Sequence, residues 1–137
     1  MWWIYALLAA LFASLTAILA KVGIKNVDSD LATAIRTCVV LIITWGVVFY
    51  KGSFQSISTL TKNNIVFLVL SGVATGLSWL FYFKALQLGK VSQVAPVDKL
   101  SVALTIILSF IFLGEALTVK TMIGTVLIVA GVLFVIS

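Results

Sequence analysis

Residues 120–136 read KTMIGTVLIVAGVLFVI, with a single charge at the first position. As a helix the run rises about 25 Å, which comes close to crossing a hydrocarbon core of roughly 30 Å. One such run suits a buried helix of a soluble protein as well as a membrane span, so its neighbours decide. Further back along the chain, apolar blocks of spanning length run from Gln93 to Leu113, Asn64 to Leu86, Leu31 to Tyr50 and Trp3 to Lys21. Of 137 residues, 63% are hydrophobic and 9% charged. A water-soluble domain of that size could not cover itself with so little polar surface. The blocks are continuously apolar, without the two-residue alternation and frequent turns of a membrane barrel, so each satisfies its own backbone as a helix. The expected fold is all-α: a polytopic membrane protein in which a single domain, residues 1–137, forms a bundle of five transmembrane helices.

The connections are short: residues 22–30, 51–63, 89–92 and 114–119. None can hold a soluble domain. The longest, KGSFQSISTLTKN, reads as a solvated linker, with a segment lying at headgroup level as the alternative. Gly89 and Ser92 read as a helix-ending glycine and a helix-starting hydroxyl. The tight turn between them makes the third and fourth helices antiparallel neighbours. The first block is too long for a signal peptide and lacks a preceding basic stretch and a cleavage site, so it is expected to stay.

Histidine is absent, Cys38 is the only cysteine, and the acids Asp28, Asp30, Asp98 and Glu115 are scattered. That leaves no catalytic triad, metal motif or phosphate loop on which to build an enzyme, a metal site or a cofactor site. The net charge of +5 is spread singly at span ends, which marks topology and contact with the lipid bilayer rather than nucleic-acid binding. Lys51, Lys62 and Lys120 fall on the N-terminal side. Lys21, Lys25, Lys84 and Lys90 fall on the other, with Arg36 and Lys99 inside helices near it. The bias favours the N-terminus outside and the C-terminus in the cytoplasm. With Arg36 and Lys99 discounted it shrinks to three against four, and insertion both ways up is conceivable.

Charges within a membrane need a reason. Arg36 and Asp98 lie about two turns into the second and fourth helices, near Lys84 and Lys99. The cluster reads as a polar vestibule in which Asp98 pairs with Arg36 or Lys84, helped by its place near the amino end of its helix. Snorkelling of the long cations to the headgroups is the competing reading. Asp98, Ser101, Thr105 and Ser109 share one face of the fourth helix. Ser71, Thr75, Ser78 and Tyr82 share one face of the third, with Trp79 as an aromatic wall. These faces line a substrate path or, equally, bond their own helix backbone. Small residues form packing seams: Ala6, Ala10, Ala13, Ala17 and Ala20 on the first helix, Gly72 and Gly76 on the third, and Gly124 with Gly131 on the fifth, within the subunit or across a dimer. Pro96 makes the start of the fourth helix irregular, which membrane depth tolerates only against protein or a water-filled cavity.

Residues 84–135, KALQLGKVSQVAPVDKLSVALTIILSFIFLGEALTVKTMIGTVLIVAGVLFV, resemble the second half of an EamA repeat of the drug/metabolite transporter superfamily. The resemblance is carried by Ala85-Leu86, Ser92, Val94-Ala95-Pro96, Leu113-Gly114-Glu115, and Gly124 with the run from Ile128 to Gly131. Residues 9–37, AALFASLTAILAKVGIKNVDSDLATAIRT, are similar to the matching first half. The resemblance implies a five-helix unit that most members carry twice, in opposite orientation, around a cavity used to export metabolites. Here only one unit is present, so the family pattern points to a dimer, either two oppositely inserted copies or a pair with a related chain. The N-out, C-in orientation is that of the second repeat of the ten-helix members. Small multidrug-type exporters of the superfamily use a glutamate in their first helix; the first helix here has no acid, and that coupling mechanism does not carry over. The expectation is a transporter of a small organic solute working as a homodimer, antiparallel by preference, in a prokaryotic inner membrane. A non-transporting membrane subunit that stabilises or regulates a partner is the rival.

Overall fold

A computed structural model describes all residues, 1–137. It contains α1 (Trp2–Gly23), α2 (Ser29–Tyr50), α3 (Lys62–Leu88), α4 (Val91–Asp98), α5 (Leu100–Leu108) and α6 (Val119–Ile136). A 3₁₀ segment, Ser53–Thr59, precedes α3, and a π-turn, Ser109–Leu113, follows α5. Five stretches are long and apolar enough to cross a membrane, with Val91–Leu113 taken as one. Their ends lie within two residues of those expected from sequence, because hydropathy blocks and helices are here the same objects.

Polar caps close the helix ends, where orphan amides would otherwise face lipid. The Asp28 carboxylate accepts from the N–H groups of Asp30 and Leu31 at 3.0 and 3.1 Å, starting α2. Thr61 Oγ1 accepts from the Asn64 N–H at 3.2 Å and Thr118 Oγ1 from the Thr121 N–H at 3.1 Å, starting α3 and α6. Gly52, at φ 66, follows the last turn of α2 in the left-handed conformation that costs glycine least. The stretch after it, expected as a solvated linker, is exposed and contains the 3₁₀ segment, in which the Phe54 ring stacks on Phe49 at 5.4 Å and lies 6.2 Å from Trp45.

The fourth block differs from expectation. It is not one helix, because the α-ladder is interrupted at Lys99, whose N–H bonds the Pro96 carbonyl three residues back, at 2.9 Å. Pro96 sits inside α4, so the irregularity falls not at the helix start but about two turns beyond it. Ser92 does not cap this helix; the N-cap is Lys90, without a side-chain bond. The block ends in the π-turn, closed by Gly114 at φ 67 with its N–H on the Ser109 carbonyl.

Contacts divide the chain into two compact units. In the first, Met1–Ile18 with Leu88–Ser137, α4 and α5 pack on α6, and Ala17, Ala103 and Val132 are buried. The second, Leu19–Gln87, is closed at one end by Ile24, Ser29, Thr33, Phe83 and Leu86, all buried. Two long-range bonds fasten that end: Lys21 Nζ donates to the Leu86 carbonyl, and Gln87 Nε2 donates to the Val27 carbonyl at 2.9 Å.

Candidate functional site

In the second unit the site grows from the capped start of α2. Thr33 Oγ1 bonds the Ser29 carbonyl and Thr37 Oγ1 the Thr33 carbonyl, both at 2.8 Å, so these hydroxyls spend their donors on their own helix. Arg36, one turn beyond Thr33, reaches across to α3. Its guanidinium carbon lies 4.4 Å from the centre of the Trp79 ring and 5.2 Å from that of Phe83. Trp79 and Phe83 are four residues apart and so share a helix face. A cation this close to an aromatic face gains about 0.5–1 kcal/mol where exposed and about 2 kcal/mol or more where desolvated. The Phe83 ring in turn meets Tyr82 edge-on at 6.3 Å. Arg36 therefore has rings for partners rather than a carboxylate.

Of the remaining α3 stripe, Ser71, Thr75 and Ser78 are exposed. Thr75 Oγ1 bonds the Ser71 carbonyl at 2.9 Å, the self-satisfied state open to it from sequence. At the fastened end of this unit, Lys21, Ile24, Lys25, Asn26 and Gln87 line a cavity of about 380 Å³.

In the first unit Asp98, expected about two turns into one long fourth helix, is the last residue of α4, so the dipole that favours it belongs to the following α5. Its carboxylate pairs with Lys99 Nζ at 3.2 Å. Ser101 and Thr105 on α5 are exposed, and Ser109 Oγ donates to the Ile106 carbonyl at 3.0 Å. The break at Lys99 thus separates Asp98 from the rest of its expected stripe.

The packing seams are mostly unfilled within the chain. Ala17 is buried and Ala20 partly so, but Ala6, Ala10 and Ala13 are exposed. A methyl group added at Gly72, Gly76, Gly124 or Gly131 would meet no atom within 4 Å. These glycines do not serve close helix packing inside one subunit. Sequence reasoning missed Phe83, whose spacing from Trp79 was the available signal, and the Asp28 cap, announced by an acid directly before an apolar block.

Three relatives align along almost all of the chain. A Sinorhizobium sp. protein described as an uncharacterised transporter in the cobO 3′ region is 47% identical over 132 residues, 96% of this chain and 94% of that protein. An uncharacterised protein of Methanocaldococcus jannaschii is 31% identical over 130 residues, 95% of this chain and 92% of that one. An uncharacterised transporter of Bacillus subtilis is 30% identical over 129 residues, 93% of this chain but 40% of its own length. No solved structure matches. The EamA-like transporter family matches across residues 1–137. With five spans, polar groups placed on them and this match over its whole length, the chain belongs to the EamA-like transporter family of the drug/metabolite transporter superfamily, as a multi-pass membrane protein.

Proposed function

We propose that the chain is a secondary transporter, an exporter by preference, of a small organic metabolite across a prokaryotic cell membrane. It works as a homodimer whose two five-helix protomers, antiparallel to one another, enclose the solute cavity. The observation that carries this reading is the outward placement of polar and small residues: Ser71, Thr75, Ser78, Ser101 and Thr105 are exposed, and Gly72 and Gly76 have open space before them. Hydroxyl faces and close-approach glycines gain little from lipid and much from a facing helix. A second copy supplies that face, and opposite insertion puts the two-fold axis in the membrane plane, as in inverted-repeat transporters. Alternating access then follows from rocking of one protomer against the other.

The test is solute flux by purified protein in liposomes, using a panel of labelled amino acids and organic acids, together with native mass spectrometry of nanodisc-embedded protein. Flux from a dimer is expected, with cysteine crosslinks from positions in the loop 51–63 reporting antiparallel copies. A transport-active population that is strictly monomeric overturns the shared cavity. Absence of flux across the panel favours a non-transporting subunit.

A further inference from the structure

Arg36 stands seven residues beyond Ser29, the first residue of α2, about 10 Å along the helix. Phe83 and Trp79 stand four and eight residues before Gln87 on α3, about 6 and 12 Å from the end that Gln87 fastens to Val27. Side chains lean toward the N-terminus of their helix, so Arg36 leans toward this near end and Trp79 leans away from it. The two backbone levels differ by only about 2 Å, and the guanidinium lies against the rings. The rings meet its charge but not its directed donors: a guanidinium offers five N–H groups in its plane and accepts nothing. Arg36 forms no ion pair or hydrogen bond within the chain, and no unpartnered side-chain atom is sealed from the outside. The cation is thus held by Trp79 and Phe83, with Tyr82 within electrostatic reach, and no hydrogen bond within the chain uses its in-plane donors.

We propose that Arg36 is the anion-binding group of the transport path, taking the carboxylate of a small organic monoanion on its donor edge while Trp79 and Phe83 hold the guanidinium. The assignment rests on the transporter reading above. The planar fork matches a carboxylate bidentately. One cation neutralises one negative charge, so a monocarboxylate bound at Arg36 within the low-dielectric span forms a neutral pair, whereas a dianion would leave a charge uncompensated. The aromatic surroundings receive the apolar part of the solute.

The test uses the full chain in phosphatidylcholine nanodiscs with Trp2→Phe, Trp3→Phe and Trp45→Phe, which leaves Trp79 as the only indole. Acetate and benzoate are titrated against their neutral counterparts acetamide and benzamide. The carboxylates are expected to change Trp79 emission saturably and the amides not. Arg36→Gln should abolish the response, and Arg36→Lys, which keeps charge but loses the fork, should weaken it about tenfold. Equal response to amides, no response to either carboxylate, or full response in Arg36→Gln overturns the proposal; unchanged circular dichroism in Arg36→Lys guards against misfolding. Phosphatidylglycerol added to the nanodiscs should leave the benzoate titration unmoved. If it competes benzoate away, Arg36 holds a lipid phosphate and the solute assignment falls. Saturable binding without flux would leave this site standing and remove the transporter reading, while carboxylate flux unchanged in Arg36→Lys would do the reverse.

Discussion

The Asp28 carboxylate accepts hydrogen bonds from two amides that α2 cannot satisfy for itself. Replacing it by alanine should destabilise the protein by about 1 kcal/mol, read as an earlier midpoint in detergent-titrated unfolding, with Asp28→Asn recovering most of the loss. Equal midpoints for Asp28→Ala and the unsubstituted chain would remove the cap from the account. The sequence carried this information, since an acid before an apolar block is a helix-start signal. Acids weighed only for catalysis or metal binding conceal it. Arg36 was legible for a different reason: a charge inside an apolar run stands out. Its ring partners were half legible, Trp79 because tryptophan is conspicuous, Phe83 not, because a phenylalanine among leucines carries no mark of what lies over its face. Asp98 takes the adjacent Lys99 as its partner, a neighbour that spacing arguments pass over because they weigh residues three and four apart.

At the scale of elements, the 3₁₀ segment after α2 is held by its own aromatic residue. Phe54 lies on Phe49 and near Trp45, contacts of a kind that contribute about 0.5–1.5 kcal/mol each beyond burial. Phe54→Ala should therefore free residues 53–59, seen as faster amide exchange and new protease cleavage there, while the spans keep their protection. Unchanged exchange would mean that the turn is held by its backbone alone. Read as a linker, this stretch shows what composition misses: serines and threonines dominate the average, and one phenylalanine fixes the conformation. The spans were legible almost to the residue because one physical quantity, transfer to lipid, sets both the sequence pattern and the helix length. The interruption of the fourth block was legible only as a consequence of Pro96, and its place, at Lys99, depends on which carbonyl the next free amide finds.

For the molecule as a whole, orientation hangs on few lysines. Reporter fusions at Ser137 should show mostly cytoplasmic C-termini with a periplasmic minority. Lys25→Gln with Lys90→Gln should enlarge that minority, and Lys51→Gln with Lys62→Gln should shrink it. An exclusively external C-terminus in the unsubstituted chain would end this view. The bonds that fasten the second unit bear on when the choice is made. Lys21 and Leu86 are 65 residues apart in sequence, and Val27 and Gln87 are 60. At about 5–20 residues per second, Leu86 leaves the ribosome some 3–13 s after Lys21. Throughout that interval Leu86 is not there for Lys21 to bond, and the charge of Lys21 can be read by the insertion machinery. The latch is therefore also a clock: until α3 is made the nascent chain can still turn over, and once Leu86 and Gln87 arrive, the three spans are committed together.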